Sequence, residues 1–565
     1  MRPAIHEITP GLSPESLVAR LHGEPGVVLL RSNLFDFPQA RYSLVTARPF
    51  LSLRSYGSRC ELQHDGVAHT QFGNPWRILD GLMARYELLE ELDLPFPLGG
   101  CFGYWGYDLK NFVEPRLPRR AVNDLELPDC HVGFHASLVV FDHRLDKTWI
   151  VATGLQVDGS RSETQAAAQL DFWRERISAP LETVATAAPV PQASSPASSG
   201  GVSPVVGTRG ETPRELAGDD ACGTQRAARA LVPQASSPAS SGGVSPPVPA
   251  ACARPPRELA TDHDRDGRDS RRTIPGSSPA SITSNFTRAE FLDRLAAVQR
   301  YIRAGDIYQV NLAQRLSAAC PWTGWELFER LAAVSPAPFS AFLDCADFQV
   351  ASSSPEMFLR LSGSHIQTRP IKGTRPRDHD PNRDAQFTYE LQTSPKEMAE
   401  LVMITDLLRN DLGRVCEYGS VQVPELVRLE RYPQVQHLVS TVEGRLRPEV
   451  THFAALAACF PGGSITGAPK IRAMEIIDEL EPVARGPYTG CHGYLGFNRE
   501  SQLAITIRTA VCKPGRAWFH AGAGIVADSI PAAEYDETLA KARGFVAALN
   551  LVMPAEPVRA AALEG

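Results

Sequence analysis

Apolar residues in the first part of the chain come in short runs, each closed by a polar turn. Val27-Val28-Leu29-Leu30 and Tyr42-Ser43-Leu44-Val45 are two of them. Leu138-Val139-Val140-Phe141 is answered by Trp149-Ile150-Val151 across the polar turn His143 to Lys147. Runs of this length, rich in branched and aromatic residues, read as strands joined into hairpins. Residues 1–182 are therefore expected to form a mostly antiparallel sheet with a few helices, one of them over Gln165 to Ile177.

The rhythm then stops. From 183 to 284 the chain is rich in Pro, Ser, Ala and Gly; the segment Val190 to Pro204 recurs word for word from Val232 to Pro246, and Pro-Arg-Glu-Leu occurs at 213–216 and again at 256–259. Such composition buries too little apolar surface to offset the entropy of ordering, which predicts a disordered insertion. Periodicity resumes at Thr287-Arg288-Ala289-Glu290, a capping-box pattern, followed by Leu292, Leu295, Val298 and Ile302 on one helix face and by Gly305 as the stop. Ile307 to Leu316 alternates like a strand. A strand ending near Ser353 leads to Glu356, another near Ile366 leads to Lys372, and a helix follows from Lys396 to Leu408. Residues 285–550 form the second ordered part, and 551–565 a tail.

Composition narrows the class. Apolar residues make up 43% and charged residues 21%, as in ordinary globular proteins. A net charge of −7 with scattered Lys and Arg gives no footprint for nucleic acid. The start has no apolar signal-like stretch and no run reaches a membrane span, so a cytoplasmic location is expected. Eleven cysteines without a C-x-x-C pair fit neither a disulfide framework nor a zinc site and read as reduced core residues.

Candidate chemistry centres on Arg369-Pro370-Ile371-Lys372-Gly373-Thr374, preceded by Ser354-Pro355-Glu356. A lysine between an apolar residue and a glycine can be shielded from water, which favours its neutral, nucleophilic form. The plain alternative is a surface charge beside a turn. Glu397 and Glu400 share a helix face, and Glu534-Tyr535-Asp536-Glu537 offers a second acidic pair. Carboxylates from distant helices suit Mg2+, which prefers oxygen ligands, although solvated acids on helix faces have the same spacing.

Pro461-Gly462-Gly463-Ser464-Ile465-Thr466-Gly467-Ala468-Pro469-Lys470 is a glycine-rich loop opening a helix, with Pro in its first turn, able to aim N–H groups at an anion; it lacks the spacing of a phosphate-binding Walker loop. Gly522-Ala523-Gly524-Ile525-Val526-Ala527 fits a loose dinucleotide pattern without the βαβ context, and is better read as close backbone approach to a carboxylate, with Arg508 supplying a fork. Gly99-Gly100-Cys101-Phe102-Gly103 matches a nucleophile-elbow spacing but has no partner histidine and acid, so Cys101 is expected to be a packing residue.

Together these motifs, with Leu407-Leu408-Arg409-Asn410-Asp411-Leu412-Gly413-Arg414-Val415 and Ala521 to Ser529, resemble the chorismate-utilising enzymes: anthranilate synthase large subunits, aminodeoxychorismate synthase component I, and isochorismate and salicylate synthases. The resemblance covers 287 to about 547 and, more weakly, 1–155. It implies an α/β (α+β) fold of the anthranilate-synthase-component-I type, two face-packed antiparallel sheets flanked by helices. Isochorismate-forming relatives carry a water-activating lysine where this chain has Gln309. Anthranilate synthases carry alanine where it has Lys372. The resemblance is therefore to the aminodeoxychorismate synthase component I branch, which makes 4-amino-4-deoxychorismate for p-aminobenzoate and folate.

By that resemblance Lys372 attacks C2 of chorismate, protonated Glu356 assists departure of the C4 hydroxyl, and ammonia adds at C4. Mg2+ is held by Glu400 and Glu537. Gly373, Thr374, His437, Tyr488, Arg508 and the amides of Gly522, Ala523 and Gly524 bind substrate, although His437 could equally be a buried, satisfied histidine. Ammonia comes from a separate glutamine amidotransferase subunit, since no glutaminase triad is found. Residues matching a bound tryptophan in relatives are Ser32, Arg41, Tyr42, Pro338, Phe339 and Ser340. The rival readings are anthranilate synthase component I, and a regulatory homologue that binds chorismate or tryptophan without turnover.

Overall fold

The computed structural model describes residues 2–8, 11–32, 40–89, 94–179, 282–432, 434–551 and 558–559. Two large sheets carry these residues. The first runs Ala4–Ile8, Lys147–Ala152, Ser137–Asp142, Tyr42–Thr46, Val28–Arg31, Phe339–Asp344, Gln349–Ser354, Thr509–Lys513, Arg516–Ile525, Gln309–Ala319, Thr283–Ser284, Val558–Arg559. Its pairings are antiparallel except the last. The second runs Ile371–Pro376, Val435–Arg445, His365–Arg369, Met357–Ser362, Glu500–Ile505, Cys491–Gly496, Gly100–Trp105, Cys130–His135, Leu51–Tyr56, Arg59–His64, Val67–Phe72, antiparallel throughout.

Both sheets are built jointly by the two ends of the chain. In the first, Val28–Arg31 pairs with Phe339–Asp344, Leu30 lying opposite Ala341. In the second, Gly100–Trp105 pairs with Cys491–Gly496, Gly103 opposite Gly493. One apolar core fills the space between the sheets and mixes Leu44, Val140 and Val350 of the first with Leu53, Phe134, Leu359 and Leu503 of the second. Burial of this kind, about 25 cal/mol per Å2 of apolar surface, is what holds two sheets face to face.

Local signals behave as the chain pattern implies. Thr287 caps the helix Arg288–Ala304 in a reciprocal capping box with Glu290, and Gly305 ends it at φ 83°. The helix expected over Gln165 to Ile177 runs Glu163–Ser178. The helix expected over Lys396 to Leu408 runs Pro395–Gly413, capped by Ser394.

The predicted insertion needs one correction. Residues 183–281 lie outside the described residues, but Ile282 is buried and Thr283–Ser284 is a strand paired with Gln309–Ala319, so the fold resumes before 285. The tail, too, adds a two-residue strand, Val558–Arg559, beside it. Among the described residues no helix is long and apolar enough to cross a membrane, and the nine described cysteines are free and buried. Cys101 is one of them, its thiol pushed well up by burial, as expected of a packing residue.

Candidate active site

Two strand ends deliver the acid and the amine. Gln349–Ser354 ends where the Ser354 hydroxyl donates to the Ile505 carbonyl (2.6 Å), and Glu356 follows after a proline with its side chain buried. Burial pushes the Glu356 carboxyl up, more strongly than the Ser464 hydroxyl and the Lys372 charge pull it down. From the second sheet, Ile371–Pro376 carries Lys372 half-buried, and its Nζ donates to the Ser464 carbonyl (3.4 Å). The strand bulges between Lys372 and Thr374, and Gly373 sits there at φ 66°. A Cβ on Gly373 would lie 2.7 Å from the Leu391 side chain, so both the backbone angle and the space require glycine.

Behind the bulge, Thr374 shares a 2.8 Å hydrogen bond with His437 Nδ1. Burial lowers the His437 pKa to about 4, so the ring is neutral at physiological pH. This fits both the expected substrate neighbour and the satisfied buried histidine.

The loop 461–470 meets Lys372 differently from expectation. It presents the Ser464 carbonyl to the amine, where the sequence suggested amides facing an anion, and Pro469 is the cap ahead of the helix Lys470–Leu480 rather than part of its first turn.

Acids and lysines alternate around this amine. Glu400, on Pro395–Gly413, is pushed up by burial and further by Glu397 and Glu534, against the pull of Lys372 and Lys396. Glu534 is buried on Pro531–Ala548, accepts from the Ser529 hydroxyl (2.6 Å), and is likewise raised by burial. Lys396 Nζ stands between them, 4.0 Å from Glu400 and 3.8 Å from Glu534. Glu537 is more open, its side chain 48% exposed, and pairs with Lys541 at 2.7 Å. Burial opposes its charge, but Lys541, then Lys396 and Lys372, outweigh that and lower its pKa. Glu397 pairs with Arg375 (3.3 Å). No group of three or more metal-ligating side chains converges among the described residues.

The opposite wall is the strand Arg516–Ile525. Asn311 N–H bonds the Thr466 carbonyl and Ala313 N–H bonds Glu481, so their register partners Gly524 and Gly522 are not hydrogen-bonded pairs. Their amides and carbonyls therefore point to the free side of the strand, where Lys541 Nζ donates to the Gly522 carbonyl (2.9 Å). Ala523, opposite Leu312, has its amide turned into the ladder, so of the three expected carboxylate-binding amides only those of Gly522 and Gly524 are presented. Arg508 Nη1 donates to the Lys541 carbonyl (2.8 Å), and Tyr488 stacks on His520 at 5.0 Å with its hydroxyl reaching Gly522.

A separate pocket lies at the seam of the two chain ends. Ser32, Tyr42, Pro338, Phe339 and Ser340 all line it, with His492 and Tyr494. Arg41 does not: its guanidinium is taken by Asp142 (3.0 and 2.5 Å) and lies 4.8 Å from the Tyr42 ring.

Sequence reasoning passed over Lys396, Lys541 and Ser464. The two lysines stand four residues from Glu400 and Glu537, a spacing that places each on its acid's helix face. The Ser464 carbonyl carries no sequence signal, because its direction is set by how the loop turns.

A buried carboxyl whose protonated form burial favours, beside an amine and faced by paired acids and lysines and by open strand amides, suits an anionic substrate that must lose a hydroxyl. The sequence profile described as chorismate binding enzyme matches residues 249–547, and the chain belongs to that family. It is 34% identical to the anthranilate synthase component 1 of Acetivibrio thermocellus over 95% of this chain and 93% of that one. It is 35% identical to the aminodeoxychorismate synthase component 1 of Escherichia coli, over 93% and 94%. The crystal structure of anthranilate synthase component I from Streptococcus pneumoniae superposes with a TM-score of 0.64 at 26% identity, covering 90% of this chain and 92% of that one. The chain is thus a chorismate-utilising enzyme, with relatives divided between two products.

Proposed function

We propose that this chain is the aminodeoxychorismate-forming kind, joining ammonia to chorismate at C4. The observation that carries the reading is the Lys372 amine, which sits against the Ser464 carbonyl beside the buried Glu356 carboxyl. Lys372 Nζ attacks C2, both ring double bonds shift (C1=C2 to C1=C6 and C5=C6 to C4=C5), and the C4–O bond breaks. The Glu356 proton leaves with the hydroxyl as water. Ammonia then bonds C4, both double bonds shift back, the C2–N bond to Lys372 breaks, and the new ammonium at C4 returns a proton to Glu356. The net change is ammonia in and water out. Burial supports the acid role, because it favours the protonated form of Glu356.

The acids fit a divalent cation. Glu400 and Glu534 are each raised by burial and by neighbouring acids, and the Lys396 ammonium between them stands where positive charge is needed. Glu400 and Glu537 would hold Mg2+, which when bound screens the substrate carboxylate. Gly522, Gly524, Tyr488 and Arg508 would bind the second carboxylate. Ammonia would come from a separate glutaminase subunit, and the cavity lined by Ser32, Tyr42 and Phe339 has aromatic walls and hydroxyls that suit a tryptophan-like amino acid.

Incubation with chorismate, Mg2+ and ammonium should give a product with the mass of aminodeoxychorismate. Lys372→Ala should lose it about 100-fold or more, or divert it toward an anthranilate-like product. An unchanged product at an unchanged rate would remove the covalent role.

A further inference from the structure

Arg485 reaches both halves of the site from behind. Its side chain is 2% exposed and its donors are all engaged. Nε and Nη2 bind Glu481 at 2.8 and 2.6 Å, Nη2 also binds the Asn311 carbonyl at 2.7 Å, and Nη1 binds the Thr489 hydroxyl at 3.1 Å and the Ile465 carbonyl at 3.4 Å. Ile465 is the residue after Ser464, whose carbonyl receives the Lys372 amine, and Asn311 lies opposite Gly524. The same guanidinium lies 4.8 Å from the Tyr107 ring centre and 5.5 Å from that of Tyr488, which in turn stacks on His520 at an interplanar angle of 10°.

We propose that Arg485 is a positioning residue. It fixes the Ser464–Ile465 backbone under Lys372 and the Tyr488 ring against Gly522 at the same time, so that the amine and the carboxylate-binding wall are set by one cation. Arg485, Tyr488 and His520 line one narrow pocket behind the stack. Tyr488 already approaches so closely that a Cβ on Gly522 would be 2.8 Å from its hydroxyl. A planar fork is required, since an ammonium could keep the Glu481 pair but could not also span the Asn311, Thr489 and Ile465 oxygens.

The inference rests on chorismate as substrate and not on which product forms, so the assay follows chorismate loss with Mg2+ and ammonium, alongside chorismate affinity by calorimetry and thermal unfolding. Arg485→Lys should raise the chorismate KM and Kd and lower kcat, each about 10-fold or more, as expected when reacting groups are misplaced by an ångström. Tyr107→Leu, which removes one ring from the guanidinium without touching charge, should raise KM several-fold. Tyr107→Phe should match the wild type, because the Tyr107 hydroxyl has no hydrogen-bond partner among the described residues. Should Arg485→Lys lower only the melting temperature, with the folded protein at wild-type KM and kcat, the positioning role is overturned. If that variant does not fold, an unchanged KM in Tyr107→Leu overturns it alone. A wild-type product with the mass of anthranilate would sink the aminodeoxychorismate reading, while the same variants still decide the part played by Arg485.

Discussion

At the scale of single residues, environment drives neighbouring carboxyls in opposite directions. Glu356 is raised by burial, whereas Glu537, half exposed and paired with Lys541, is lowered. A carboxyl whose folded pKa lies above its unfolded value favours the fold at low pH, and that advantage is lost as pH rises through the folded pKa. Charge on the buried Glu356 therefore works against the fold. Glu356→Gln removes the ionisable proton but keeps the shape, and should melt at or above the wild-type temperature near pH 7 while losing chorismate turnover by about 100- to 10,000-fold. A variant that is both active and less stable would contradict both halves of the argument. The residue types themselves were legible: Lys372, Glu356, Glu400 and Arg508 stand in motifs whose chemistry can be read. Their partners were not. Arg41 was expected at a ligand and is instead bound by Asp142, a residue a hundred positions away that no local pattern links to it.

At the scale of elements, the site depends on irregularities in otherwise regular strands. The bulge at Gly373 lets Lys372 and Thr374 stand opposite Leu438 and His437 with one residue between them left over. Gly373→Ala would place a methyl 2.7 Å from Leu391 and an L-residue at φ 66°, so about 1–3 kcal/mol of stability should be lost. Turnover should fall with it, because the bulge carries the amine. Chemical denaturation together with chorismate consumption checks this, and a variant with wild-type stability and rate would show that the bulge is replaceable. Periodicity revealed the helices, since a capping residue such as Thr287 acts within one turn. The bulge, the direction of the Ser464 carbonyl and the free edge at Gly522 and Gly524 escaped it, because each arises from pairing with strands far away in sequence.

At the scale of the whole molecule, the chain ends interleave in both sheets, and the segment between them has the composition of a connector. Replacing 185–280 by a flexible Gly-Ser linker should leave folding and chorismate consumption within about two-fold of wild type, whereas carrying the deletion through Ile282 and Thr283 should destabilise the protein by removing a buried side chain and a paired strand. Equal behaviour of the two deletions would contradict the strand's importance. The shared core also sets the response to acid. Burial lowers His131 to about 3 and His135, His437, His452 and His492 to about 4. The unfolded chain protonates these rings near pH 6.5, so the stability they lend is complete above that value and drains away as pH falls toward 4. Asp129 acts in the opposite sense: burial raises it to about 7, so the folded state gains its proton before the unfolded chain does. These rings outnumber this one carboxyl, so the unfolded state is ahead by several protons between pH 6.5 and 5, while Glu356, Glu400 and Glu534, raised by burial, act in the same sense as Asp129. Each extra proton is worth about 1.4 kcal/mol per pH unit. The melting temperature should therefore fall steeply from pH 7 to 5 in a pH series of thermal scans, and a flat or rising curve would mean that the buried rings are charged in the fold.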